Sequence, residues 1–325
     1  MRFASVLVNG RARVALAHAG GVVPVSESTM LEIINRVMGK EDEAARLADK
    51  AEGVAPLAEE DYEWLPPVRG GKIASVAINN EGVSRLASVV PATPPFFLKP
   101  TSCLIGHLQP IIMRPDYGLT HPEAELAVII GRRSKHLTHE NALQSVFGYT
   151  IINDVTSIGL KSEDTYVFPA PEDGPTPPGF EYGAMQLAYH ARSKGTDTFG
   201  PLGPWIVTKD EIADPNHLAV RVFMGEQQVT CDNTANLRFS VEDVLVWASR
   251  YFTLEPGDII HMGTAAAGRF GLRELDFRVW EGPIAIEIEG IGRLENPIDR
   301  VDLTGNRVGL IEPDPANVWP PRYAA

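Results

Sequence analysis

From Phe3 to Val8 the side chains alternate, with Phe3, Ser5 and Leu7 set against Ala4, Val6 and Val8, and turns follow at Asn9-Gly10 and Gly20-Gly21. Asn-Gly is the pair a two-residue hairpin prefers, so residues 2 to 25 are predicted to form a small antiparallel meander. The period then changes. Behind Ser28, a side chain able to cap, Met30, Leu31, Ile34 and Val37 recur at helical spacing until Gly39. A second helix, rich in Ala and Glu, is predicted from about Glu41 to Lys50. Pro66-Pro67 and Gly70-Gly71 read as a linker. Residues 1–68 are therefore expected to be an N-terminal accessory module for packing and dimerisation, with nothing that suggests chemistry.

From Lys72 a short strand begins at Ile73, followed by the proline-punctuated stretch from Pro94 to Gly106 with Lys99 inside it. Leu126 to Ile130 is an unbroken, largely β-branched run that ends at Gly131 and predicts a buried strand. Helices are expected over His139–Phe147, where Ala142, Leu143, Val146 and Phe147 share a face, and from Val155 to about Ser162. Between Glu163 and Tyr189 prolines crowd among glycines and acidic residues, a long loop of the kind that covers a site or reaches a partner subunit. The remainder is rich in strands, with one helix from Ser240 to about Arg250 and a type II turn at Glu255-Pro-Gly-Asp258. In Pro283–Gly290 the isoleucines take one face, and Glu287 and Glu289 the other, as on a solvated antiparallel strand. The fold class expected is α+β and mostly β, with a main domain over 72–302 and a tail over 303–325.

Composition narrows the possible partners. A chain of 325 residues with 44% hydrophobic and 22% charged residues can bury a sizeable core. Its formal net charge of -13 leaves no basic stripe for nucleic acid, and no apolar run approaches a membrane span. Cys103 and Cys231 fit no metal spacing, which points to reduced thiols and a cytoplasmic protein.

The chemistry is concentrated in two segments. Thr120-His-Pro-Glu-Ala-Glu leads into the buried run, and Tyr149-Thr-Ile-Ile-Asn-Asp leads to Asp154. Strand alternation puts Glu123 and Glu125 on one side. Acids beside buried strands are costly without a cation between them, so Glu123, Glu125 and Asp154 are candidate ligands of a hard divalent ion, Mg²⁺ or Mn²⁺. Lys194, in a loop fixed by glycine and proline, is the candidate electrostatic anchor, with Arg192 as the loop's other cation. Lys99 reads either as a surface residue with a buried stem or as a contact to an anionic ligand. Gly263-Thr264 forms a further candidate loop.

These motifs in this order resemble the fumarylacetoacetate hydrolase family. Phe97-Leu-Lys-Pro-Thr-Ser, Pro122-Glu-Ala-Glu-Leu-Ala-Val-Ile-Ile-Gly, Gly148-Tyr-Thr-Ile-Ile-Asn-Asp-Val, Arg192 through Trp205, Pro256-Gly-Asp-Ile-Ile and Gly263-Thr carry the likeness over roughly residues 72–300. The resemblance implies a rolled mixed sheet, a homodimer, Mg²⁺ or Mn²⁺ on Glu123, Glu125 and Asp154, an active-site lysine at Lys194 and substrate binding at Thr264. It also implies cleavage of carbon–carbon bonds in acylpyruvates and related 1,3-dicarbonyl acids, or tautomerisation, decarboxylation or dehydration of 2-oxo acids.

The chain departs from the family pattern at one place that matters. Hydrolytic members carry Asn-Tyr-x-x-His-x-x-Glu, whose His–Glu pair activates water; this chain has Asn79-Asn80-Glu81-Gly82-Val83-Ser84-Arg85-Leu86. Losing a general base typically costs ~10²–10⁴-fold. Replacement bases are sought among Glu81, His107, His121 and His190, with His121 first because it precedes the acidic strand. The leading expectation is a metal-dependent hydrolase of a 1,3-dicarbonyl acid. The second keeps the metal and enolate but omits the water attack, and the third is a non-catalytic relative.

Overall fold

The computed structural model describes residues 1–169, 185–268 and 270–312. The N-terminal meander forms as expected, with β1 (Arg2–Val8), β2 (Arg11–His18) and β3 (Gly21–Pro24). Asn9 and Gly10 both take positive φ, 48° and 72°, the geometry that the Asn-Gly pair permits. Helix α1 (Met30–Val37) is capped by Thr29 and not by Ser28: the Thr29 hydroxyl accepts from the Glu32 N–H while Glu32 reaches back to the Thr29 N–H. Helix α2 spans Glu41–Ala51.

Six further strands complete the main path of the large sheet together with the meander. They are β4 (Ile73–Val76), β5 (Phe96–Lys99), β6 (Ala124–Ile130), β7 (Val146–Asn153) and β8 (Gly200–Thr208), and a sixth, β9 (Ile259–His261), lies between two of them. The spatial order is β3-β2-β1-β8-β7-β6-β9-β4-β5, and with two short flanking strands the sheet has eleven. Most neighbours are antiparallel, but β9 and β4 are parallel, so the sheet is mixed. The meander is part of this sheet, because Arg2 and Phe3 of β1 pair with Val207 and Ile206 of β8. A second sheet of four strands, from Ala219 to Asn233 and from Ile284 to Asn296, packs on one face of the first.

Strand β6 shows how its sequence divides between two cores. Leu126, Val128 and Ile130 point to the second sheet, packing with Val220, Val222, Ile284 and Ile286 and with helix Val241–Tyr251. Ala127 and Ile129 point the other way, into a core with Ile33, Ile34 and Leu47 of α1 and α2. A strand buried on both faces must be apolar at every position, which is why the run reads without alternation.

Two predicted helices are corrected. In place of a helix over His139–Phe147 there is a 3-10 turn, Ala142–Ser145, and Val146 and Phe147 already belong to β7. Their β-branched and aromatic side chains suit a central strand paired on both edges, and that pairing overrides a weak helical period. The helix expected from Val155 starts instead at Ile158 (Ile158–Glu163), because the Ser157 hydroxyl caps the Leu160 N–H and Thr156–Ser157 first pair with Thr120–His121. The expected 163–189 loop begins and ends as a two-stranded ribbon, Thr165–Phe168 with Met185–Ala188; its central part, like the end of the expected tail, lies outside the described residues.

Gly148 on β7 tests the packing between β7 and β8. A Cβ there would lie 2.3 Å from the Val207 carbonyl oxygen, a backbone atom with little room to move. Gly148→Ala is expected to destabilise the fold by about 1–3 kcal/mol in urea unfolding, and a neutral result would show that the sheet can part locally at no cost.

Candidate active site

Strand register brings the acids together. Asp154 donates its N–H to the Glu123 carbonyl at 2.8 Å, so the β6–β7 pairing continues one step beyond the ladder that sets Glu125 opposite Ile152. Glu123, Glu125 and Asp154 therefore share the face that carries Ala127 and Ile129. On the neighbouring strands that face continues through His261 opposite Ala127, Ser75 opposite His261, and Phe97 opposite Ser75. One end of the face lies under α1 and α2. The other is met by a short helix, Ala191–Gly195, which carries Lys194.

The cluster is buried and densely charged. Asp154 is fully buried, with one carboxylate oxygen on the Lys99 ammonium and the other 2.6 Å from Lys194 Nζ. Lys194 also lies 3.1 Å from Glu123 Oε2, while Glu123 Oε1 accepts from the Thr156 hydroxyl at 2.7 Å. Burial alone would raise the pKa of Asp154, but Lys194 and Lys99 outweigh it and hold the carboxyl far below the usual range. Burial likewise works against the charge on Lys194, and Asp154, Glu123 and Glu125 overcome it and hold its pKa well above that of an ordinary lysine.

Glu125 sits differently. Its Oε2 accepts from the Gly263 N–H at 2.7 Å and lies 2.6 Å from His261 Nδ1. Burial pushes its pKa up against the pull of His261, and the nearby Asp154 and Glu123 add to the rise. Two lysines face three carboxylates, so the site retains room for positive charge. One oxygen each from Glu125 and Asp154 and one ring nitrogen of His261 lie within 4.8 Å of one another, all three residues being buried. His261 Nε2 is itself buried without a partner. An orphaned buried nitrogen beside carboxylates fits a divalent ion.

The remaining candidates fall into place around this centre. Lys99 is no snorkelling residue: its side chain is wholly buried and its ammonium also donates to the Phe199 carbonyl at 2.9 Å. Arg192 lies at the surface and pairs with Asp164 and Glu163, tying the lysine helix to the preceding one. His121 is buried beside Glu123, with Nε2 4.0 Å from Glu123 Oε1 and Nδ1 3.1 Å from the Pro122 carbonyl oxygen. Gly263, at φ +93°, turns its N–H onto Glu125, and a Cβ there would meet that of Asn79 at 2.6 Å. Thr264 is buried next to it.

Residues 72–299 match the family described as fumarylacetoacetate (FAA) hydrolase C-terminal. The chain belongs to the fumarylacetoacetate hydrolase family. It is similar to the 2,4-didehydro-3-deoxy-L-rhamnonate hydrolase of Sphingomonas sp. (strain SKA58), 30% identical over 224 residues covering 68% of this chain and 70% of that protein. It is also similar to the mitochondrial oxaloacetate tautomerase Fahd2a of Rattus norvegicus, 28% identical over 86% of this chain and 84% of the relative. Among solved structures, the fumarylacetoacetate hydrolase of the psychrophilic Exiguobacterium antarcticum superposes with a TM-score of 0.71 at 30% identity, covering 92% of this chain and 99% of that one. Fumarylacetoacetate hydrolase-family members are hydrolases, isomerases and tautomerases, and this chain is an enzyme of that kind.

Sequence reasoning missed one member of this fumarylacetoacetate hydrolase-family site and one residue that secures its loop. His261 reaches Glu125 across 136 positions of chain, and only the β6–β9 register reveals it. Asp232 is a hub: it accepts from Asn80 Nδ2 (3.0 Å), Asn236 Nδ2 (2.6 Å) and the N–H groups of Asn233 (2.8 Å), Ala266 (2.7 Å) and Ala267 (3.0 Å). It thereby fastens the loop after Gly263-Thr264 to the Asn79-Asn80 segment. Burial would raise its pKa, but Asn236 and the Ala267 and Ala266 N–H groups lower it. A carboxyl depressed by folding contributes stability above its unfolded pKa of about 3.9 and loses it as pH falls through the folded value. Asp232→Asn is thus expected to lose about 1–3 kcal/mol at pH 7 in urea unfolding. The gap to the parent should narrow below about pH 4, and a gap that persists in acid would assign the loss to something other than the charge.

Proposed function

We propose that this chain is a divalent-metal-dependent enzyme that interconverts keto and enol forms of a 2-oxo acid bearing a second carbonyl two carbons away. The observation that carries the choice over hydrolysis is at helix Glu81–Ser84 and the turn after it, where Val83 is half-buried and Leu86 is 86% exposed. Neither side chain can activate water, so enolisation takes first place over the hydrolysis expected from the sequence. The named substrates of the two relatives above, a 2,4-didehydro acid and oxaloacetate, support the substrate class.

Glu123, Glu125 and Asp154 would hold Mg²⁺ or Mn²⁺, with Glu123 tied to Asp154 through Lys194. Such an ion, when bound, polarises the 2-oxo group and acidifies the neighbouring C–H. Lys194 offsets the negative charge that develops on the substrate. Its ammonium stays charged there because three carboxylates surround it. Lys99 holds Asp154 from beneath, while Gly263 and Thr264 shape the substrate loop.

The proton acceptor is assigned to His190, with His121 as the alternative. His190 lies one helical turn before Lys194, whose N–H donates to its carbonyl, and its ring stands 5.4 Å from Phe97 on the site face. Its Nδ1 is buried without a partner. Burial, then Lys161 and Lys194, lower its pKa, so the neutral, proton-accepting ring prevails at neutral pH. Part of the same reading is a cytoplasmic homodimer; the unpaired Cys103 and Cys231 support the reducing compartment.

With oxaloacetate and Mn²⁺ in heavy water, the protein is expected to speed exchange of the C3 hydrogens, and in ¹⁸O-labelled water to place no label in a newly formed carboxylate. Label in a cleaved acid would replace this reading with hydrolysis. His190→Ala is expected to lower kcat by about 10²-fold or more and leave Mn²⁺ affinity unchanged. A loss of that size in His121→Ala alone would move the role to His121.

A further inference from the structure

We propose that His261 is a metal ligand: a ring nitrogen joins the carboxylates of Glu125 and Asp154 on one divalent ion, making the centre a mixed nitrogen and oxygen site that selects transition ions over Mg²⁺. The inference rests on the metal-dependent reading above and adds a donor of a different kind to it.

His261 is fully buried in the middle of the sheet, between β6 and β4. An imidazole in such a place is expected to have both nitrogens partnered. Here Nδ1 is crowded, 2.6 Å from Glu125 Oε2 and 3.1 Å from Ser75 Oγ, while Nε2 has no partner. A neutral ring that donates its Nδ1–H to Glu125 in a hydrogen bond leaves a buried lone pair on Nε2 without a partner. Phe97 stands edge-on at 6.1 Å and offers no polar atom. Nitrogen and oxygen donors lie about 2.0–2.2 Å from a metal such as zinc, so donors sharing one ion are separated by at most twice that. The Glu125, Asp154 and His261 donor atoms all lie within 4.8 Å of one another, so small side-chain movements would bring them around one ion.

The donor type sets the selectivity. Mg²⁺ takes oxygen ligands and keeps its waters, whereas imidazole binds first-row transition ions more strongly. Carboxylates alone would leave the choice to geometry and supply. His261 shifts it toward Mn²⁺ and, more strongly, toward Fe²⁺, Co²⁺ and Zn²⁺.

The full-length protein, stripped by chelation and reloaded with Mn²⁺, provides the test. Pulsed EPR is expected to show the ¹⁴N modulation of a directly bound imidazole, replaced by the ¹⁵N pattern when histidine is ¹⁵N-labelled. His261→Asn should lose the modulation and lower the Mn²⁺-to-Mg²⁺ affinity ratio about tenfold or more in competition titrations. His121→Ala and His190→Ala should keep the modulation. Mn²⁺ bound to the parent protein without nitrogen coupling, or coupling that survives His261→Asn, overturns the assignment and leaves the metal-dependent reading standing. No Mn²⁺ binding by the parent, or binding unchanged in both Glu125→Gln and Asp154→Asn, overturns both.

Discussion

The carboxylate of Asp154, closed off from water between two lysine ammoniums, is the constraint around which this molecule is built. An ionised group in that position is tolerated only with its charge matched and its oxygens hydrogen-bonded. Lys99 reaches it from an edge strand and Lys194 from the short helix Ala191–Gly195, so the pair of contacts fixes two distant segments against the same strand end. Removing either lysine would leave the other contacts in place but an unbalanced charge in the interior, which is far costlier than the loss of a surface pair.

Glu125 is the complement of that arrangement. Its partners are a backbone N–H and an imidazole, with no lysine on its oxygens, and its neighbours are acids. Within a few ångströms the same face thus holds one carboxylate satisfied by fixed cations and another whose environment favours an additional positive charge. This asymmetry leaves the centre room for an ion. The loop bearing Gly263 and Thr264 is held from outside by Asp232, so the N–H that reaches Glu125 is positioned by a carboxylate that never touches the site.

Local regularities were legible wherever neighbours in sequence are neighbours in space. The Asn9-Gly10 hairpin, helices α1 and α2, the buried run of β6 and the helix over Val241–Tyr251 follow from turn chemistry and apolar period. The stretch before β7 misled because Ala142, Leu143, Val146 and Phe147 fit a helical face as well as they fit a turn and a strand. The sheet decided between them, since a strand with partners on both edges satisfies backbone groups that a short helix cannot. Lys99 had two readings in sequence, and only the placement of Asp154 opposite it separated them.

The sequence by itself determined the mostly β class, the family, the acidic segments and the missing water-activating pair at Val83 and Leu86. These depend on residue type and short spacing, which the chain carries locally. Tertiary structure decided which acids share a donor cluster, that His261 is among them, that Arg192 faces outward while Lys194 faces in, and that Asp232 secures the loop. Each of those depends on strand register and chain crossings that join residues from about 28 to 136 positions apart, where a shift of one position would turn every side chain to the opposite face.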